Sequence, residues 1–166
     1  MKLYIKIFFG IFLALSASRF IPHPPNFTSL LALSFYVPAL LGRKYIFALL
    51  LSFVITDLFI GFHALTFFTW GAVVIIGVTT KYFSNKFTIR LMGAFLGTII
   101  FFIITNFGVW AIGSYGYTFE GLITCYVLAI PFYAYSLIST ILFSSIIEII
   151  YKITNNNIKS FKINKI

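Results

Sequence analysis

The sequence predicts an all-α membrane protein, a bundle of six transmembrane helices with both termini cytoplasmic. Three observations carry this. Of 166 residues, 61% are hydrophobic and only 9% are charged, where a soluble domain carries roughly a quarter charged residues. Six apolar runs, at 4–18, 26–41, 45–62, 64–80, 88–111 and 121–150, fall in or near the range of about 17 to 25 residues that takes a helix across a bilayer. Eleven of the twelve lysines and arginines fall on one side of that six-span arrangement, the side on which basic residues near span ends are retained in the cytoplasm. Period-two alternation is absent, which argues against a membrane β-barrel. Three acids and twelve bases leave no room for a second, soluble domain, so the division expected is a transmembrane domain at 1–151 and a loose basic cytoplasmic tail at 152–166.

The first run follows Lys2 and contains Lys6. Its Gly10-x-x-x-Ala14-x-x-x-Ser18 stripe suits close approach by another helix, either of this chain or of a partner subunit. The same stretch has a second reading as a signal peptide, with two lysines, an apolar core and small residues at Ala14 and Ser16. Cleavage would leave five spans, and the distribution of basic residues does not separate the two readings.

Between the first and second runs lies "RFIPHPPNFTS", Arg19 to Ser29. Its prolines hold the backbone extended, and Asn26 is placed to cap the second helix. A stiff rim is thus expected to present Arg19 and His23 beside the positive end of that helix, a seat for a carboxylate or phosphate oxygen. The reading without a ligand is a rigid capped turn. Arg43 and Lys44 close the second run, and the third carries Asp57. An acid within a span costs about 3 kcal/mol at the helix centre and must be paired or functional. Arg19 is the expected partner, as an ion pair locking the first and third spans or as half of a ligand site.

His63 occupies the turn before the fourth run, and Trp70 lies too deep in that run for an interfacial belt, so it is expected to line a pocket. Lys81, Lys86 and Arg90 follow the fourth run on the basic side. Near the far end of the fifth, Asn106 and Trp110 share one helical face. Tyr115, Tyr117 and Glu120 fill the next loop, with Glu120 complementing the helix dipole. The sixth run is long and is expected to kink at Pro131. Its Cys125 is a lone thiol, read as a small apolar side chain.

Counting along the spans brings Arg19, His23, Asn26, Asp57, His63, Asn106 and Trp110 to the outer half of the bundle, with Trp70 below them. That convergence predicts a site for something arriving from outside. No phosphate loop, nucleotide motif, zinc motif or Ser-His-Asp order is present, so no cofactor or metal is called for, although a membrane enzyme using Asp57 and His63 stays open. The formal charge of +9 is explained by attraction to anionic membrane lipid, without nucleic acid.

The segments "SRFIPHPPNFT", "TDLFIGFH", "FFIITNFGVW" and "YTFEGLITCYVLAIPFY" resemble a family of small bacterial integral-membrane proteins known as a domain of unknown function. In that pattern proline follows N-F-T and serine precedes the aspartate, where this chain has Ser29 and Thr56. The architecture is also similar to the substrate-binding components of energy-coupling-factor vitamin transporters. That likeness implies capture of a vitamin or precursor-like solute at the outer face of a bacterial inner membrane, with a separate ATP-driven module as partner. A structural or assembly protein without a ligand is the alternative.

Overall fold

The computed structural model describes the backbone of residues 2–83 and 86–163 and the side chains of residues 2–83 and 86–155. Among these the protein is all-α, with seven helices: α1 Lys2–Phe20, α2 Leu30–Leu41, α3 Ile46–Ile60, α4 Thr66–Thr79, α5 Phe87–Ala111, α6 Phe119–Leu128 and α7 Ile130–Ile163. Single 3₁₀ turns, Arg43–Tyr45 and Thr80–Tyr82, precede α3 and follow α4. Three helices are long and apolar enough to cross a membrane, namely α1, α5 and the Ile130–Asn155 part of α7, which marks a multi-pass membrane protein. Helices α2 and α6 are apolar but shorter.

The second apolar run starts four residues before its helix does, because Asn26 takes a left-handed φ of 63° and α2 begins only at Leu30. The expected Asn26 cap is therefore corrected. Ser29 stands at the N-cap with no side-chain capping bond, and its own N–H donates to Ser18 Oγ of α1 at 3.0 Å. The two hydroxyls meet at 2.7 Å, and Ser29 Oγ donates to the Ala14 carbonyl at 3.3 Å. Of the small-residue stripe, Ser18 and the Ala14 carbonyl thus tie α1 to the start of α2, while Gly10 and the Ala14 side chain are exposed.

The long sixth run divides into α6 and α7 around Ala129, with Pro131 in the first turn of α7. Proline has no N–H to give the preceding turn, yet Ala129 N–H still reaches Cys125 O and Tyr133 N–H reaches Ala129 O, so helical hydrogen bonding persists on both sides of the break. Helical backbone continues through residues 152–163, the segment read from sequence as the tail. The side chains of its Lys159 and Lys162, and the whole of Lys165, lie outside the described residues.

Helix α2 is the axis of the bundle. Leu30 to Pro38 are all buried, as suits a helix apolar on every side that is enclosed by protein rather than lipid. Phe35 and Tyr36 pack with Leu31, Ile76 and Ala94, and Leu33 and Val37 with Leu49, Phe53 and Val73. In lipid such contacts gain by close packing, since hydrocarbon outside is as apolar as the core. Gly93 of α5 allows the tightest of them: a Cβ there would stand 2.2 Å from the Phe35 ring. Phe35 is fully enclosed, so Gly93→Ala is expected to lower stability by about 1–3 kcal/mol. Thermal unfolding in detergent checks this, and an unchanged midpoint would mean that the α2–α5 seam gives way freely.

Candidate functional site

The loop between α1 and α2 and the turn between α3 and α4 meet at one end of the bundle, opposite the end that carries Arg43, Lys44 and Lys81. Two adjoining cavities open there. One, of about 230 Å³, is bounded by Asn26, His63, Asn106, Phe102, Tyr133 and Ser136 among others. The second, of about 240 Å³, takes in Arg19, His23, Thr28 and Phe53. Asn26, His63, Thr69, Phe101 and Ser136 border both, so they form two lobes of one site. Asn26 reaches this dividing position because its left-handed turn, which asparagine tolerates better than most residues, folds the rim back over α7. Ser139 Oγ of α7 lies 3.5 Å from the Asn26 carbonyl.

Behind the second lobe stands a buried polar cluster. Arg19 Nη2 lies 2.7 Å from Asp57 Oδ1, forming an ion pair. Arg19 Nη1 donates to Thr56 Oγ1 and approaches the Phe53 carbonyl at 3.5 Å, while the guanidinium carbon sits 4.6 Å from the centre of the Phe53 ring. The second Asp57 oxygen accepts the Trp70 indole N–H at 2.7 Å. Asp57 is 1% exposed and borders neither lobe. It anchors the Arg19 head, which does face the second lobe. Glycine at position 61 makes the placement possible: it leaves α3 at φ 109° and donates its N–H to the Asp57 carbonyl at 2.8 Å, ending the helix one turn past the aspartate.

The sequence-predicted site residues therefore divide. Arg19, His23, Asn26, His63 and Asn106 border the two lobes. Trp70 does not; its indole is committed to Asp57, and its ring stands edge-on to Phe62 and Phe67. Trp110 does not either, since its N–H donates to the Thr118 carbonyl at 3.1 Å and its ring packs against Phe107 and Tyr117. The Asn106 amide donates to Phe102 O of its own helix at 2.7 Å, leaving its carbonyl oxygen as the group able to accept from a ligand. His63 Nδ1 accepts from the Leu65 N–H at 3.2 Å, which puts the proton of a neutral ring on Nε2. Cys125 is buried and its thiol donates to the Asn106 carbonyl of the main chain at 3.2 Å. Thr118 caps α6 by accepting the Gly121 N–H, with exposed Glu120 in the first turn.

Sequence reasoning missed a second buried ion pair at the basic end. Arg90, read as a flanking base, is 4% exposed and forks onto Glu148 of α7, Nε to Oε1 and Nη2 to Oε2 both at 2.6 Å. The pair borders a cavity of about 580 Å³ with Phe87, Ser145, Tyr151 and Lys152. A signal was there: Glu148 is a lone acid inside the apolar stretch "STILFSSIIEIIYK", and such an acid demands a cation. Polar chemistry is thus present at both ends, although the sequence suggests one.

The chain belongs to DUF6580, a family of unknown function, which it matches over residues 2–161. No curated protein and no solved structure matches it.

Proposed function

We propose that this protein captures a small polar or aromatic solute, of the vitamin or precursor kind, in the two-lobed cavity and serves as the substrate-binding component of a transporter. The observation that carries the reading is the cavity itself, where Arg19, His23, His63 and Asn106 from four separate segments face a space walled by Phe101, Phe102 and Tyr133. Concave, mostly apolar sites with a few fixed polar groups are what small ligands occupy. The lobes, of about 230 and 240 Å³, together give a site toward the small end of the roughly 300–1,000 Å³ of pockets that enclose drug-sized molecules, which suits a solute of one ring with polar substituents. Arg19 supplies the attraction for an acidic group, and because Asp57 already holds that guanidinium in place, little ordering is lost on binding.

In this reading all six apolar runs span a bacterial inner membrane, both termini are cytoplasmic and the cavity opens outward. The placement of the lysines and arginines supports that orientation. A separate ATP-driven module would energise release, docking on the exposed Gly10 and Ala14 face of α1.

Native mass spectrometry of the gently solubilised protein tests the proposal. A small molecule is expected to travel with the wild-type protein, to be lost from Ser136→Phe, which fills the border between the lobes, and to be held about tenfold more weakly by Asn106→Ala, the loss of one hydrogen bond. If the wild type carries nothing and no vitamin, nucleobase or aromatic acid raises its melting temperature, the capture reading falls. The second reading, a structural protein, then takes its place. It is favoured by the two ion pairs, which fasten α1 to α3 and α5 to α7.

A further inference from the structure

The seam between α5 and α7 is open to one side from the basic end inward. The cavity of about 580 Å³ beside the Arg90–Glu148 pair extends from Phe87 of α5 to Lys152 and Asn155 of α7. Another, of about 320 Å³, lies deeper along the same two helices, walled by Leu91, Met92 and Phe95 and by Leu137 and Ile141. Ser145 borders both, so they form one groove. Met92, Ile141 and Ile149 on its edges are 66%, 56% and 59% exposed, which leaves it open along its length. Both helices are long and apolar enough to cross a membrane, and what lies beside that opening is therefore lipid.

The deeper part of the groove is walled chiefly by hydrocarbon, and apolar cavities stay dry, so acyl chain, the apolar material at hand, is what fits it. Any lipid would serve if the groove were apolar throughout. Its mouth is not. Lys152 stands there, exposed, eleven residues beyond Ile141, about 16 Å along the helix and close to the depth of one leaflet in a hydrocarbon core roughly 30 Å thick. Of the chain's three acids, Asp57 and Glu120 belong to the opposite end, and Glu148 is held by Arg90 through both oxygens. Lys152 forms no ion pair among the described residues. Arg43, Lys44 and Lys81 at the same end add to the positive field, and Asn155 brings an amide donor to the mouth.

We propose that this groove binds one anionic phospholipid, its acyl chain laid along the α5–α7 seam and its phosphate held at the mouth by the Lys152 ammonium and the Asn155 amide. Basic pockets between transmembrane helices are where anionic head groups bind. Arg90 and Glu148 form a neutral wall where chain meets head group, with the Tyr151 ring 5.1 Å from the guanidinium carbon. The groove lies at the opposite end from the two-lobed cavity, and the inference stands whether or not that cavity captures a solute.

The test is native mass spectrometry of the full chain in detergent, titrated with dioleoyl phosphatidylglycerol or dioleoyl phosphatidylcholine, which share their chains and differ in head-group charge. The wild type is expected to bind one phosphatidylglycerol about fivefold more tightly than phosphatidylcholine, the effect of one lysine at a membrane surface. Lys152→Gln should remove that preference. Ser145→Trp, which blocks the groove where its two parts join, should abolish saturable binding of phosphatidylglycerol, while Ile123→Trp on an exposed face of α6 should change neither. Ser145 is exposed and its hydroxyl donates only to the Ile141 carbonyl of its own helix, so the plug leaves the core alone, and a melting temperature matching the wild type checks this. Ser145→Phe is the smaller plug if the larger one unfolds the protein. Equal affinity for the two lipids would mean ordinary annular contact. A preference that survives Lys152→Gln would place the anion elsewhere among the bases, and binding that survives the plug would mean surface attraction without a groove. A wild-type dimer that carries no lipid and that Ser145→Trp dissociates would give the groove to a second copy. Each of these results overturns the proposal.

Discussion

Replacing Glu148 with alanine is expected to destabilise the protein by about 3–5 kcal/mol. The loss comes less from the missing attraction than from the guanidinium left behind. Arg90 is 4% exposed, and both of its contacts to Glu148 are 2.6 Å long. Without the carboxylate a largely desolvated guanidinium loses both of its contacts to Glu148, and the Tyr151 ring, 5.1 Å from its carbon, compensates only in part. Removing both charges while keeping volume, as in Arg90→Met with Glu148→Leu, should recover most of the stability, since a buried pair is often no more stable than apolar residues of its size. Unfolding in detergent, followed by helical ellipticity, gives the comparison. A double variant as unstable as Glu148→Ala would show that the pair contributes far more than neutralisation.

The second large effect is expected at Asp57. Its removal takes away the Arg19 ion pair at 2.7 Å and the Trp70 hydrogen bond at 2.7 Å together. Asp57→Ala should cost about 3–5 kcal/mol, whereas Trp70→Phe, which deletes only a neutral donor to a carboxylate, should cost about 1.5–3 kcal/mol. A double-mutant cycle with Arg19→Ala and Asp57→Ala should give a coupling in the range of about 0.5–3 kcal/mol, and additive losses would show that the two side chains do not meet in the membrane. Under the proposed capture role, binding is expected to separate Arg19 from Trp70. Arg19→Ala removes a group that borders the site, while Trp70→Phe leaves the site's lining unchanged.

Much of this protein was legible before any coordinates, for physical reasons that act locally. A chain with 61% hydrophobic residues and 9% charged has no aqueous fold open to it. A charge within an apolar run must find compensation wherever the run goes, so Asp57 announced its need for a partner, and the division of the sixth run into α6 and α7 falls beside Pro131, which has no N–H to give. The convergence of Arg19, His23, Asn26, His63 and Asn106 was likewise a matter of counting, because helix rise is constant at about 1.5 Å per residue.

What only the tertiary structure decided is which neighbour answers each demand. Trp70 looked like a pocket wall by depth alone, but the α3–α4 turn swings its N–H onto Asp57, 13 residues away. Asn26 has the chemistry of a helix cap and is instead spent on a left-handed turn, since Ser18 of α1 already accepts the Ser29 N–H. Arg90 and Glu148 lie 58 residues apart, and nothing short of the packing of α5 on α7 pairs them. Desolvation is set by a residue and its immediate run, so sequence reveals it. Direction and distance between side chains on different helices are set by how every helix settles around α2, and that arrangement belongs to the whole chain.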